Sequence, residues 1–140
     1  MTEFSPEIER WFADTVGRCF ALSAENNIDS YLFAKEFLNS TWGINLLSEN
    51  FLREYESPSY MLAKARCNLT LQGGPKYDTY TLWMYGYLVK YWVTNKNISS
   101  KKIWEILPIN LFNDSFVFYH TQGWEYIIIE ATKRYKRKEK

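Results

Sequence analysis

The tetrapeptide Asn27-Ile28-Asp29-Ser30 recurs as Asn97-Ile98-Ser99-Ser100 in a chain of 140 residues. Each copy follows a long run of apolar residues with helical spacing and precedes a shorter one. Self-similarity of this kind is typical of duplicated structural units. We therefore predict a single helical domain over residues 1–140, built from pseudo-repeats at about 5–72 and 76–138.

The residues around the tetrapeptide predict a helix, a corner and a second helix in both copies. Ser5-Pro6 suits the start of the first helix, because serine caps orphan amides and proline is tolerated in the first turn. Apolar residues then recur at steps of three and four from Ile8 to Phe20. Asp29 and Ser99 are good N-caps, each preceded by an isoleucine that can pack on an apolar residue of the next helix. The tetrapeptide is thus predicted to be a structural corner rather than a binding loop.

The rest of the chain completes an all-α fold of about eight helices, four in each copy. In the first copy, apolar residues from Leu47 to Tyr55 predict a third helix, and Ser57-Pro58 begins a fourth that extends to Leu69. Gly73-Gly74-Pro75 disfavours a helix and is interpreted as the joint between the copies. The helices of the second copy are predicted at about 82–93, 99–107, 111–119 and 124–135.

One short segment is ambiguous between helix and strand. Ile127-Ile128-Ile129 is typical of a strand, and Gly123 before it would permit one. Trp124, Ile127, Ile128 and Ala131 nevertheless keep a helical spacing, so a helix is favoured.

Charge and cysteine content limit the classes of function. With 17 basic and 16 acidic residues the net charge is +1, so no overall field attracts the chain to nucleic acid or membrane. Cys19 and Cys67 lie in apolar helical patterns without metal-ligand spacing, which favours buried thiols in a reducing compartment. No secretory or membrane-spanning segment is recognisable. We expect a soluble cytoplasmic protein with no metal or other cofactor.

The second copy carries two recognisable motifs, Asn97-Ile98-Ser99-Ser100-Lys101-Lys102-Ile103-Trp104 and Tyr119-His120-Thr121-Gln122-Gly123-Trp124-Glu125-Tyr126-Ile127. Over about 82–131 the chain resembles a small helical family of unknown function from Firmicutes and related bacteria. The resemblance implies an all-helical fold. The family's genes often lie beside those of ADP-ribosyltransferase-like proteins, which suggests an antitoxin or immunity role.

The chain departs from that family in three places. Tyr119 stands where the family usually has leucine, and the acidic residues that typically follow the tyrosine are missing after Tyr126. In the first copy, Glu54-Tyr55-Glu56-Ser57 stands in place of the tetrapeptide His120-Thr121-Gln122-Gly123. Any chemistry carried out by that tetrapeptide would therefore belong to the second copy alone.

His120 is the only histidine of the chain. The favoured interpretation is that it closes one helix, that Thr121 or Gly123 caps the next, and that Glu125 lies in the first turn. Contact with a partner protein is the second interpretation. Catalysis or metal binding is the least favoured, because no second ligand or nucleophile stands at a recognisable spacing. We predict that the protein is not an enzyme.

The C-terminal run is the one concentrated basic segment, formed by Lys133, Arg134, Lys136, Arg137 and Lys138. Cations are favourable at a helix C-terminus, so a solvated helix end is the favoured interpretation. The alternative is nucleic-acid binding, with Tyr135 stacking on a base and Lys101-Lys102 supplying a second basic patch.

Aromatic residues make up 19% of the chain, more than a small bundle needs for its core. Six of the aromatics are placed where some of them should be exposed: Trp42, Tyr60, Tyr77, Tyr80, Tyr85 and Tyr87. Exposed aromatics commonly anchor protein interfaces. The predicted function is a protein-binding module that restrains or adapts a toxin, effector or enzyme, and homodimerisation is left open. The predicted partner-binding residues are His120, Gln122, Glu125, Tyr126, Tyr85 and Tyr87.

Overall fold

The computed structural model describes residues 5–48, 57–66, 74 and 76–138, and every regular element in these ranges is a helix. The described chain forms α1 (Pro6–Glu25), α2 (Ser30–Asn39), α3 (Thr41–Ser48), α4 (Pro58–Arg66), α5 (Thr79–Lys96), α6 (Ser100–Ile106), α7 (Ile109–Asp114), α8 (Phe116–Tyr119) and α9 (Trp124–Lys138). The all-α prediction is confirmed. The helix predicted over 111–119 is divided into α7 and α8 at Ser115, whose φ of −110° and ψ of 21° are not helical.

The ambiguous isoleucine segment lies inside α9, so the helical interpretation is confirmed and the strand is wrong. The reason is the spacing of its apolar residues. Ile127, Ile128 and Ala131 face the core, whereas Ile129 is exposed. A strand would instead bury alternate residues.

The two predicted corners share one local structure. Asn27 and Asn97 take the left-handed conformation, with φ of 58° and 49°, which asparagine tolerates better than most residues. The carboxylate of Asp29 accepts hydrogen bonds from the backbone amides of Tyr31 and Leu32 at 3.0 and 3.1 Å. The Ser99 hydroxyl accepts one hydrogen bond, from the backbone amide of Lys102 in α6, at 3.2 Å. Both predicted N-caps are confirmed.

A buried serine follows the cap at each corner. Ser100 donates a hydrogen bond to the carbonyl of Leu38 in α2 at 2.7 Å, and the Ser30 hydroxyl accepts one from the amide of Lys76 at 3.2 Å. The matching helices also contact each other, α1 with α5 and α2 with α6. The corners therefore agree in backbone conformation, in the presence of a side-chain cap and in the buried serine that follows it, while duplication of the whole unit stays a prediction.

The core forms where α1 crosses α5. The crossing is close because Gly17 of α1 lies against Gly86 of α5, so that a Cβ on Gly86 would stand 3.0 Å from the Gly17 Cα. Beside the crossing, the rings of Phe20 and Tyr85 lie 6.2 Å apart. Helix α4 packs on α1, and α9 packs on α5 and α6. Every other helix in the described ranges is arranged around this central pair.

The serine caps of α1 and α4 and the burial of Cys19 follow the sequence prediction, whereas part of the predicted apolar face of α1 does not. Ser5 and Ser57 cap α1 and α4, accepting from the amides of Ile8 and Tyr60, as predicted. Cys19 is a buried free thiol, and burial raises its pKa. Ile8 and Trp11 are exposed although they belong to the predicted apolar face of α1.

Some predictions fall on residues outside the described ranges. The continuation of the third helix to Tyr55 is one, and the end of the fourth helix at Leu69 is another. The same holds for three further predictions, which concern the segment Glu54-Tyr55-Glu56, the thiol of Cys67, and Gly73 and Pro75 of the predicted joint. Gly74 is described and takes a φ of +75°, a conformation that favours glycine.

Among the helices of the described chain, none combines the length and the apolar character needed to cross a bilayer.

The two corner caps should differ in their contribution to stability. Asp29 accepts two amide hydrogen bonds and lies 3.4 Å from the ammonium of Lys76, whereas Ser99 accepts one. We expect Asp29→Ala to lower the free energy of unfolding by about 1–2 kcal/mol and Ser99→Ala by about 0.5–1 kcal/mol. Urea denaturation of the two variants would test this order. Equal losses would contradict it.

Candidate functional site

The corner between α8 and α9 holds the predicted site, and His120 sets its geometry. The backbone amide of His120 donates to the carbonyl of Phe116 at 2.9 Å, and the Nδ1 atom lies 2.9 Å from the same oxygen. Because a carbonyl only accepts, Nδ1 carries the proton. The imidazole also stacks on the ring of Phe116 at 5.2 Å. The predicted helix-closing role of His120 is confirmed.

The residues after His120 divide between the two helices. Thr121 donates its hydroxyl proton to the carbonyl of Phe118 at 2.9 Å, so its side chain belongs to the end of α8. The half-buried side chain of Gln122 donates to the Thr121 hydroxyl at 3.2 Å. The carbonyl of Gly123 accepts from the amide of Ile127 at 3.1 Å and starts α9. Of the two residues proposed to cap α9, Gly123 occupies the capping position.

Glu125 holds the start of α9 against α5. Its carboxylate lies 2.8 Å from the ammonium of Lys96 and accepts a 2.9 Å hydrogen bond from the Tyr91 hydroxyl. The hydrogen bonds from Lys96 and Tyr91 lower the pKa of Glu125. Burial, followed by the hydrogen bond to Glu125, raises the pKa of Tyr91 to about 12. Glu125 is exposed, but its carboxylate is already engaged within the protein.

An apolar surface lies beside this corner. Val117 is 82% exposed, Phe118 38%, Tyr126 46% and Ile129 49%. The rings of Phe118 and Tyr126 lie 6.0 Å apart, and Ile129 follows Tyr126 by about one turn of α9. We call these four residues the α8–α9 apolar surface.

Only Tyr126 of this surface was among the predicted partner-binding residues. Val117, Phe118 and Ile129 were missed because large apolar residues in a helical pattern are most often core. The pattern of α9 contained the signal. Positions 126 and 129 lie on the face opposite the buried Ile128 and Ala131.

The prediction that Tyr85 and Tyr87 contribute to an exposed interface is wrong. Both are buried, because α5 is the central helix and its neighbours cover it on several sides. The Tyr85 hydroxyl donates to the carbonyl of Leu107 at 2.9 Å, and burial raises its pKa well above the usual value. The ring of Tyr87 stacks on Trp124 at 4.6 Å.

The other aromatics of that predicted set divide between surface and core. Tyr60 and Tyr80 are exposed, and Trp42 and Tyr77 are half-buried. The expectation that some of the set would be exposed is therefore confirmed, although the choice of Tyr85 and Tyr87 was not.

The basic run forms the last turns of α9, where Lys133, Arg134, Lys136, Arg137 and Lys138 are all exposed. Arg134 donates to the hydroxyl of Ser115 at 3.2 Å and lies over the ring of Tyr119. The carboxylate of Glu130 lies 3.8 Å from Arg134 and 4.0 Å from Arg137. Two of the five cations are thus held near an acidic partner.

The second predicted basic patch lies next to this run. The ammonium of Lys102 lies 3.3 Å from the Tyr135 hydroxyl and 5.0 Å from the centre of its ring. Lys101 is exposed beside it. The structure therefore brings the two basic segments to one edge of the bundle, although Lys102 covers the ring predicted to stack on a base.

A cleft of about 230 Å³ opens between α6, α7 and α9. Its apolar lining includes Leu107, Leu111 and Tyr119, and its rim carries both Asp114 and Arg134. In the described part of the chain, no group of three or more histidine, cysteine, aspartate or glutamate residues is placed to hold a metal ion.

Comparisons with protein-family models, with curated proteins and with solved structures found no match for this chain. The family resemblance of the second copy therefore stays a prediction.

Proposed function

We propose that this protein is a non-enzymatic protein-binding module that restrains or adapts a partner, with the α8–α9 apolar surface as its contact face. The exposure of this surface carries the proposal. Four large apolar side chains are exposed at the corner where the sequence motif predicted partner contact, and the rings of Phe118 and Tyr126 lie 6.0 Å apart. Contiguous exposed apolar side chains commonly mark protein interaction sites, and aromatic anchors often dominate their affinity.

The corner is also held in place, which supports a binding role. His120 and Thr121 fasten the end of α8, Glu125 ties α9 to α5, and Arg134 joins α9 to Ser115. A surface fixed in this way loses little conformational entropy when a partner binds. These contacts give the motif residues a second role, since they position the apolar side chains of α8 and α9.

The cysteine of the described ranges is poorly placed for catalysis. Cys19 is buried in the core. A nucleophilic cysteine needs access to substrate and a lowered pKa, whereas burial raises that of Cys19. This arrangement supports the non-enzymatic part of the proposal.

The class of partner follows from the family resemblance. In the family that the second copy resembles, the genes often lie beside those of ADP-ribosyltransferase-like proteins. This neighbourhood suggests an antitoxin, an immunity protein or an inhibitor of a mobile-element product. We therefore propose a toxin, effector or enzyme as the partner and the cytoplasm as the place of action.

Two substitutions on the contact face should weaken partner binding. We expect Phe118→Ser and Ile129→Ser each to lower affinity about tenfold or more, because both remove an exposed apolar anchor. Capture of the partner from the native host, followed by titration, would measure the loss. Leu32→Ser on α2 is the matched control, since Leu32 is an exposed leucine on another helix. Undiminished binding by both corner variants, with unfolding curves like the control's, would exclude this face.

Nucleic-acid binding is the second candidate, favoured by the position of Lys101 and Lys102 beside the basic run. Protein that carries nucleic acid should then release it steeply as salt increases, because phosphate contacts displace counterions. Removing residues 133–140 should abolish this binding. Weak salt dependence, or binding that survives the truncation, would exclude this candidate.

A further inference from the structure

Helix α9 presents one outward stripe composed of Tyr126, Ile129, Lys133 and Lys136. Their steps of three, four and three residues keep them on one side of the helix. The opposite side, with Ile128 and Ala131, is buried. The first half of the stripe belongs to the α8–α9 apolar surface, and the second half is cationic.

The two lysines of the stripe are available to a partner. Both are exposed, and neither forms an ion pair with another residue in the described ranges. Arg134 and Arg137 differ, because each lies within 4.0 Å of Glu130. Neither lysine of the stripe therefore lies within 4.0 Å of a described carboxylate oxygen.

We propose that the partner binds through an acidic segment laid along this stripe, an inference that rests on the protein-binding function proposed above. Apolar side chains of the segment cover the α8–α9 apolar surface. Its carboxylates pair with Lys133 and Lys136, which lie about 10 and 15 Å along the helix from Tyr126 at 1.5 Å per residue. The order of apolar and basic residues on α9 fixes the direction of the bound segment.

The arrangement favours an acidic protein segment over an anionic membrane. A helix that lies in a membrane interface exposes apolar residues along its whole length, with cations flanking them. On α9 the apolar and basic parts instead follow one another along the axis.

A displayed library of random 12-residue peptides, selected on the full chain, tests this inference. We expect enriched peptides to combine large apolar residues at one end with Asp or Glu at the other. The double variant Lys133→Glu/Lys136→Glu should bind them about tenfold more weakly, since two surface ion pairs are lost and reversed. Lys35→Glu on α2, another exposed lysine, should bind them like the unaltered protein.

A charge-exchanged peptide gives a readout that misfolding cannot imitate. Each Asp or Glu of an enriched peptide is replaced by Lys, and binding to the double variant should then recover. The proposal of an acidic segment would be wrong if the enriched peptides lacked acidic residues. It would also be wrong if the peptides bound the double variant as tightly as the unaltered protein.

The test also separates this inference from the proposed function. If the double variant binds normally while Ile129→Ser loses the peptides, the acidic segment is wrong and the contact face is retained. If neither the double variant nor Ile129→Ser changes peptide binding, both the acidic segment and the contact face are wrong. A membrane surface would replace the acidic segment if two results occurred together. The unaltered protein would sediment with phosphatidylserine vesicles while the double variant did not, and no enriched peptide would bind the double variant more weakly than the unaltered protein.

Discussion

Gly17→Leu is expected to lower the free energy of unfolding by about 3 kcal/mol or more, because overpacking a close helix crossing displaces backbone. A Cβ at position 17 would stand 2.6 Å from the carbonyl oxygen of Trp83 and 2.8 Å from its ring. Trp83 has little freedom to move, since its indole donates to Asp14 at 2.9 Å. Urea denaturation followed by circular dichroism would measure the loss.

Gly123→Leu is the matched control for this substitution. A Cβ at Gly123 meets no atom within 4 Å, so a leucine there should cost about 1 kcal/mol or less, mainly through the weaker cap. Equal losses at the two glycines would show that α1 and α5 do not cross as closely as described.

The unfolding free energy is expected to rise between pH 7 and pH 10 because of Lys90. This lysine is 2% exposed, its ammonium donates to the carbonyl of Leu47 at 2.8 Å, and burial lowers its pKa to about 7. Between that pKa and the usual value of 10.5, the unfolded chain binds a proton that the folded chain does not. Stability therefore increases with pH in this window, by at most about 1.4 kcal/mol per pH unit.

Lys90→Met should remove most of this dependence while it preserves much of the side-chain volume. Denaturant unfolding at pH 7, 8, 9 and 10 would compare the two proteins, and the tyrosine contributions common to both cancel in the difference. Lys35→Met controls for the loss of a positive charge at an exposed site. Parallel pH profiles for Lys90→Met and the unaltered protein would contradict the account of Lys90.

Features set by short-range interactions were readable from the sequence. The caps at Ser5, Asp29 and Ser99 depend on residues within one helical turn, as does closure of α8 by His120. The division of the helix at Ser115 was not predicted, because apolar residues continue on both sides of it. Local pattern thus predicted where most helices begin. It missed the break at Ser115 and the start of α3, which lies at Thr41 rather than at the predicted Leu47.

Features set by packing between distant segments were not readable in this way. Helix α5 has apolar residues on all sides, so its sequence did not distinguish Tyr85 and Tyr87 from exposed anchors. Burial of Lys90 depends on its contact with α3, and the role of Gly17 depends on α5. Tertiary packing decided each of these positions.

The candidate site was predicted in part for the same reason. The motif places His120, Gln122, Glu125 and Tyr126 at one corner, between α8 and α9. It did not separate residues that hold the corner, such as Glu125, from those left exposed, such as Ile129. That distinction required the positions of α5 and α8 relative to α9.

Site-specific photo-crosslinking in the native host tests the central claim most directly. A photoreactive amino acid at position 129 is compared with one at position 32, an exposed leucine on α2. We expect one discrete protein adduct at position 129 and none of that species at position 32. The same adducts at both positions, or no protein adduct at position 129, would contradict the claim that the α8–α9 apolar surface binds a partner.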